Sequence, residues 1–134
     1  MSNLKAAVIG LGVGEAHAEA YQNSPYCELA AICDFNPKVL ETKGARFAGI
    51  PIRTTDPLEI LKHKQIQVVS IASYDNHHFD QIKVGLEHNK HLFVEKPICV
   101  KRKNADKIYG LIILLHGFPE LSYSWRKIIW YANR

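Results

Sequence analysis

Short apolar runs alternate with helix-like segments along this chain, and this alternation constrains the fold more than any other feature of the sequence. The strand-like runs are Lys5–Gly10, Glu28–Cys33, Val68–Ala72, His91–Val94 and Leu111–Leu115, with a weaker one at Ile50–Arg53. Runs that are almost wholly apolar are typical of parallel strands that helices cover on both faces. The pattern therefore predicts an α/β fold, a doubly wound parallel sheet of about six strands with right-handed crossovers.

The segments between these runs carry helix signals. Helices are predicted over Glu15–Asn23, Pro37–Phe47, Asp56–His63, His78–His88 and Asn104–Tyr109. Asn36 is placed to cap the second of them, and Pro37 and Pro57 stand at first helical positions, where a missing N–H is tolerated. Near the C-terminus, apolar residues at helical spacing predict an amphipathic helix: Leu121, Trp125, Ile128, Ile129 and Ala132.

Size and composition indicate one globular domain that comprises residues 1–134. Apolar residues make up 47% of the chain, and uninterrupted apolar runs reach only five residues, too short to cross a membrane. Residues 101–134 hold seven basic and two acidic side chains. No nucleic-acid-binding motif accompanies this basic stretch, so nucleic acid is disfavoured as a partner.

Three cysteines, Cys27, Cys33 and Cys99, lack the spacing of metal ligands. The N-terminus has no basic region followed by an apolar segment and a cleavage site, as an export signal would have. These features predict reduced thiols, a cytoplasmic location and no metal site.

The turn after the first predicted strand reads Gly10-Leu11-Gly12-Val13-Gly14. Glycines permit a tight turn there and let backbone N–H groups approach a pyrophosphate at the helix N-terminus. Asp34 ends the second strand 20 residues after Gly14, where a carboxylate can accept hydrogen bonds from both hydroxyls of an adenosine ribose. No Lys or Arg adjoins Asp34, so the pattern predicts a dinucleotide site that favours NAD over NADP.

Two alternatives stay open for this turn. It is one residue shorter than the usual G-x-G-x-x-G fingerprint, and such turns also occur in methyltransferases that bind S-adenosylmethionine. Those enzymes usually have an acidic residue before the first glycine, where this chain has Ile9. The simpler alternative is an ordinary strand–helix turn, with Asp34 as a turn residue ahead of Asn36 and Pro37.

Four segments, GLGVGEAH at 10–17, AICDFNP at 31–37, IASYDNHH at 71–78 and HLFVEKP at 91–97, resemble one known family. They are similar to the N-terminal domain of the Gfo/Idh/MocA family of NAD(P)-dependent sugar oxidoreductases, over about residues 3–103. The resemblance implies that Lys96 polarises or protonates the oxygen at the carbon that exchanges hydride, with Glu95 orienting it. Pro97 restricts the backbone at Lys96 and can fix the direction of its side chain.

The resemblance also implies that residues 73–78 line the cofactor. Asp75 and His78 fit a solvated helix start equally well. The predicted cofactor-binding residues are Gly10, Gly12, Val13, Gly14, Asp34, Ser73, Asp75, His78, Lys96 and Pro97.

A second resemblance covers residues 111–129, through LLHGFPE at 114–120 and SYSWR at 122–126. This stretch is similar to the third strand and following helix of α/β-hydrolases, especially epoxide hydrolases. In that family the turn supplies a backbone N–H, here at Phe118, to an oxyanion hole. The chain lacks a nucleophile elbow, so His116 is predicted to be a structural turn residue and hydrolase activity is disfavoured.

Together the two resemblances predict a chimera joined near residues 104–110, in which residues 104–134 add a strand and a helix beside His91–Val94. The residues after Lys103 are too few for the family's substrate domain. The expected function is therefore an NAD(P)-binding domain of a sugar or cyclitol oxidoreductase, truncated before that domain and with little turnover by itself.

The alternative is a non-enzymatic, chimeric or self-associating Rossmann module without a functional cofactor site. Four aromatic residues of the last predicted helix cannot all face one sheet: Tyr123, Trp125, Trp130 and Tyr131. Because exposed aromatic surface favours association, a homo-oligomer is predicted.

Overall fold

The computed structural model describes residues 3–101, 104, 107 and 112–114. Within this part of the chain the strands are β1 Leu4–Ile9, β2 Cys27–Cys33, β3 Ile52–Thr54, β4 Val68–Ile71, β5 His91–Val94 and β6 Ile112–Leu114. The helices are α1 Gly14–Asn23, α2 Pro37–Gly44, α3 Pro57–Leu61 and α4 Asp75–Glu87.

All strand pairings are parallel, in the order β3-β2-β1-β4-β5-β6. The predicted parallel α/β sheet with Rossmann-like topology is confirmed. The chain winds outward through β2 and β3, returns to the centre, and winds outward again through β4, β5 and β6. Between β1 and β4 the carboxyl ends of neighbouring strands open a crevice, the place where such sheets bind ligands.

Two apolar clusters cover the two faces of the sheet, because successive side chains of a strand point to opposite faces. Ala7 and Ile9 of β1 pack with residues of α3 and α4, such as Leu61 and Ile82. Val8 packs on the other side with residues of the glycine turn, α1, β2, α2 and the turn after α2: Leu11, Ala18, Tyr21, Leu29, Ile32, Val39, Leu40 and Phe47. Helices on both faces hold the strand ends in place.

Most elements lie within two residues of their predicted bounds, and two differ for local reasons. Helix α4 begins at Asp75, ahead of the predicted His78. Helix α2 ends at Gly44 because N–H groups beyond it bond three residues back, as in a turn, and not four: Phe47 N–H donates to the Gly44 carbonyl. As predicted, Asn36 caps α2 by accepting from the N–H of Lys38 at 3.1 Å.

Strand β6 extends the sheet beyond β5, with Ile112–Leu114 paired to Leu92–Val94, at the position predicted for the run Leu111–Leu115. Several other predictions lie outside the described residues: the helix spanning residues 121–132, the hydrolase-like stretch after Leu114 with His116 and Phe118, and most of the helix Asn104–Tyr109. None of the described helices combines the length and hydropathy needed to cross a bilayer.

Candidate dinucleotide-binding site

A groove of about 640 Å³ lies over the crevice at the carboxyl ends of β1, β2 and β4. Its walls come from the glycine turn, the loop after β2, the start of α2 and the loop after β4. The residues that line it are Gly10, Gly12, Val13, Asp34, Phe35, Asn36, Pro37, Val39, Lys43, Ala72, Ser73 and Tyr74. The groove thus collects five of the ten predicted cofactor-binding residues: Gly10, Gly12, Val13, Asp34 and Ser73.

The glycines of the turn differ in what their surroundings permit. Gly10 has φ +91°, and a Cβ there would lie 2.6 Å from Ser73 N. A Cβ at Gly14 would lie 2.7 Å from Val8 Cγ1, whereas one at Gly12 would meet nothing within 4 Å. Gly10 and Gly14 are therefore needed for packing, while Gly12 presents bare backbone to the open groove.

Helix α1 begins directly after this turn without a side-chain cap at Val13. The first N–H groups of a helix lack intrahelical partners and carry partial positive charge. With Gly12 in front of them, these groups fit a phosphate, and this is the first point on which the site fits a dinucleotide.

Asp34 is fixed by two backbone contacts. Its Oδ2 accepts from Leu11 N–H at 2.8 Å, and its Oδ1 accepts from Asn36 N–H at 2.9 Å. Each carboxylate oxygen can accept more than one hydrogen bond. Asp34 can therefore hold the turn and still accept from ribose hydroxyls in the groove that it lines.

An ion-pair network that sequence reasoning missed stands beside the glycine turn. Lys43 Nζ lies 3.0 Å from Glu15 Oε2, and Arg46 pairs with both Glu15 and Glu19. The hydrogen bond from Lys43, together with Arg46, lowers the pKa of Glu15 below its ordinary 4.5. The contacts join α1 to α2 and its following turn across about 30 positions of sequence, so no local motif marks them.

Two aromatic rings stand at the rim of the groove. Phe35 and Tyr74 are 49% and 70% exposed, and their rings meet edge to face with centroids 5.6 Å apart. Large apolar side chains this exposed at a groove rim offer a surface on which a nucleobase can stack. Tyr74 falls in the segment predicted to line the cofactor; Phe35 was not predicted.

The segment after β4 divides between surface and core. Ser73 lines the groove and donates from Oγ to Gln81 Oε1 at 2.6 Å. Asp75 is exposed and stands outside the groove lining. His78 is fully buried, with Nδ1 2.7 Å from the Pro97 carbonyl and Nε2 2.9 Å from the Ser73 carbonyl. His78 therefore joins the loop after β4 to the turn after β5, and does not reach the groove.

The turn after β5 carries Glu95, Lys96 and Pro97, with a cis peptide bond before Pro97. Glu95 Oε1 lies 3.3 Å from His17 Nε2, and the His17 ring packs edge to face on Phe93 with centroids 4.8 Å apart. Lys96 is exposed and outside the groove lining. Glu95 thus contacts α1, and the side chain of Lys96 remains available at the carboxyl edge of the sheet.

The described residues contain no group of His, Cys, Asp or Glu arranged to hold a metal ion. Cys27 and Cys33 are free thiols. Burial, and next the neighbouring Asp34 carboxylate, raise the pKa of the Cys33 thiol to about 12.

The sheet order, the open glycine turn and the acidic end of β2 together define a Rossmann-type dinucleotide-binding domain. Residues 4–113 match the family described as "Oxidoreductase family, NAD-binding Rossmann fold" (GFO_IDH_MocA). This chain belongs to that family, as its sequence segments predicted.

Named relatives are similar to this chain over one part of their length. "Glycosyl hydrolase family 109 protein 4" of Phocaeicola vulgatus is 30% identical over 85% of this chain and 23% of its own length. Levoglucosan dehydrogenase of Pseudarthrobacter phenanthrenivorans is 30% identical over 84% of this chain and 31% of its own. The chain therefore spans about a quarter to a third of the length of these relatives.

Solved structures show the same fold. Scyllo-inositol dehydrogenase from Lactobacillus casei, crystallised with NAD(H) and scyllo-inositol, superposes with a TM-score of 0.76 at 24% identity. The match covers 84% of this chain and 36% of that one.

Proposed function

We propose that this chain binds NAD(H) as the dinucleotide-binding domain of an oxidoreductase that acts on hydroxyl groups of sugars or cyclitols. The observation that carries the proposal is that Gly12 and Asp34 line one groove at the crevice between β1 and β4. The substrate class rests on relatives named as dehydrogenases of levoglucosan and scyllo-inositol.

Each part of a dinucleotide has a matching set of residues. The pyrophosphate would rest on Gly12, Val13 and the first N–H groups of α1, and the adenosine ribose would bind Asp34. The adenine would stack at Phe35 and Tyr74. The nicotinamide, when bound, supplies the hydride acceptor or donor.

NAD is favoured over NADP because the Asp34 carboxylate accepts hydrogen bonds from a 2′-hydroxyl and repels a 2′-phosphate. Because this preference depends on the charge of Asp34, a variant that removes only the charge tests it. Asp34→Asn removes the charge and should narrow the ratio of NADH to NADPH affinity.

Lys96 is the proposed catalytic residue. As an ammonium it would donate a proton, or a hydrogen bond, to the oxygen on the carbon that exchanges hydride, and as an amine it would take the proton back. Glu95 would position Lys96 through the backbone, because its carboxylate is held by His17. His78 would serve the same purpose by holding the Pro97 carbonyl.

We expect the 134 residues by themselves to turn over slowly or not at all. Lys96 is exposed, and within the described part of the chain its side chain makes no hydrogen bond or ion pair that would fix its direction. Orientation of the reactants supplies a large part of enzymatic rate acceleration.

The deciding experiment titrates the chain with NADH and NADPH, followed by cofactor fluorescence and by calorimetry. Saturable NADH binding, tighter than NADPH binding, is the expected result. Asp34→Asn should narrow the difference, and Asp80→Asn, an exposed carboxylate on α4, is the matched control. If NADH binding does not saturate at millimolar concentration, the proposal is contradicted.

Three predictions about the C-terminal part are carried forward with it: that residues 104–134 complete the same single domain, that their hydrolase-like stretch is non-catalytic, and that the aromatic helix supports a homo-oligomer. Sedimentation over micromolar concentrations tests the last, since a single monomeric species would contradict it. The predicted cytoplasmic location is likewise carried forward as a prediction.

A further inference from the structure

The groove contains a lysine, Lys43, to which the function proposed above assigns no role. Lys43 is the only Lys or Arg among the described residues that line the groove. Its Nζ donates to the carbonyl oxygens of Leu11 at 2.8 Å and Gly12 at 3.3 Å. Both carbonyls belong to the turn on which a phosphate would rest. We propose that Lys43 recognises a phosphate group of an adenosine nucleotide in this groove, an inference that rests on the proposed function.

The charges around the turn explain why a cation is needed there. Asp34 lines the groove, and Glu15, in the first turn of α1, pairs with the groove-lining Lys43, so two carboxylates lie close to the place where a polyanion would bind. Lys43 and Arg46 hold Glu15 in its ionised form, since they lower its pKa. Without a compensating cation, these carboxylates would oppose the partial positive charge of the helix N-terminus.

Lys43 can leave its present partners for a phosphate at little cost in free energy. Its side chain is 36% exposed, and ion pairs this accessible to water contribute little. Its ammonium has three N–H donors, and the contact with the Gly12 carbonyl is the longest of the three that it makes. When Lys43 turns to a phosphate, Arg46 still pairs with Glu15 through the other carboxylate oxygen. Glu15 therefore keeps a cation as its partner when Lys43 moves.

The phosphate could be the pyrophosphate or a 2′-phosphate, and the ligands of the test separate the two. Lys43→Gln, Glu15→Gln and the control Lys38→Gln, an exposed lysine of α2 outside the groove lining, are titrated with ADP, 2′,5′-ADP, NADH, NADPH and adenosine.

Lys43→Gln should weaken the binding of phosphate-bearing ligands about fivefold, as expected for a partly exposed charged contact. The affinity for adenosine should not change. A loss on ADP and NADH assigns the contact to the pyrophosphate. A loss confined to 2′,5′-ADP and NADPH assigns it to the 2′-phosphate. Either result supports recognition of phosphate.

Glu15→Gln distinguishes phosphate recognition by Lys43 from a purely structural role of the Lys43–Glu15 ion pair, which joins α1 to α2. If Lys43 recognises phosphate, removal of the competing Glu15 carboxylate tightens the binding of the same phosphate-bearing ligands that Lys43→Gln weakens. If the pair only braces α1 against α2, both variants weaken every ligand alike, adenosine included, and the proposal is overturned.

Wild-type affinity in Lys43→Gln, or unchanged affinity in Glu15→Gln, overturns it as well. Should Lys43→Gln fail to fold by circular dichroism, Glu15→Gln decides alone. Wild-type protein that binds neither NADH nor ADP removes the proposed function together with this inference. Saturable wild-type binding that Lys43→Gln retains removes only the role of Lys43.

Discussion

The N–H of Leu11 donates to Oδ2 of Asp34 across 2.8 Å, and this contact joins the glycine turn to the end of the second strand. Leu11 is fully buried beneath the turn. The carboxylate that is proposed to hold the ribose therefore also fixes the loop that is proposed to hold the pyrophosphate. Cofactor recognition and local stability share one side chain.

Asp34→Ala should consequently reduce stability as well as binding. Removal of the carboxylate leaves the N–H groups of Leu11 and Asn36 without their acceptor, which should lower the free energy of unfolding by about 1–2 kcal/mol. Urea unfolding measures the change. Asp80→Ala is the control, and equal losses in the two variants would contradict the structural role of Asp34.

Alanine substitutions at Gly12 and Gly14 should separate binding from folding. At Gly14 the new Cβ would press on Val8 Cγ1, and overpacking of this kind costs about 1–3 kcal/mol of stability. At Gly12 the Cβ meets open space, so the variant should melt near the wild-type temperature and bind NADH more weakly. Thermal melts and NADH titration on both proteins check this, and a reversed pattern would show that the groove faces another part of the turn.

The fold could be predicted because its determinants are local. Apolar runs such as residues 68–71 mark buried strands, and the glycine turn and Asp34 stand at strand ends that a parallel sheet brings to one edge. The start of α4 could not be predicted in the same way. Asp75, Asn76 and His77 are exposed polar residues that suit a loop or a first helical turn equally.

The parts of the site that escaped prediction depend on contacts between distant residues. Lys43 donates to the Leu11 carbonyl, 32 positions away in the sequence. The lack of a Lys or Arg next to Asp34 in the sequence therefore did not reveal that a lysine lies in the groove. His17 reaches Glu95 in the same way. His78, predicted as a cofactor contact, lies between the backbone carbonyls of Ser73 and Pro97, a placement that its neighbours in sequence do not reveal.

Cys33 should resist alkylation in the native protein. Burial and the adjacent Asp34 carboxylate raise its pKa to about 12, so almost no thiolate exists near pH 8. The partly exposed Cys27 is the internal reference. Iodoacetamide labelling mapped by mass spectrometry should modify Cys27 first and Cys33 only in denaturant. Equal native rates would mean that β2 opens readily.

The stability supplied by the Glu15 ion pairs should depend on pH. The folded pKa of Glu15 lies below 4.5, so the contribution is fully present above that pH and is lost as the pH falls through the folded pKa. Glu15→Gln lacks this titration. The difference in stability between wild type and variant should therefore shrink on acidification and in high salt. A difference that stays constant from neutral to acidic pH would contradict this account.

His78→Ala should destabilise the turn that carries Lys96. The ring is fully buried between the carbonyls of Ser73 and Pro97, so its loss leaves a cavity and removes a hydrogen-bond donor from between them. The expected cost is about 2–4 kcal/mol in the free energy of unfolding. His77→Ala, at the next exposed position of α4, should change stability by less than about 0.5 kcal/mol. Urea unfolding gives both values, and hydrogen exchange of the Glu95 N–H, which donates to the Ile71 carbonyl at 2.8 Å, reports on the turn itself. Unchanged exchange there in a destabilised His78→Ala protein would show that His78 supports the core of the domain without fixing the turn.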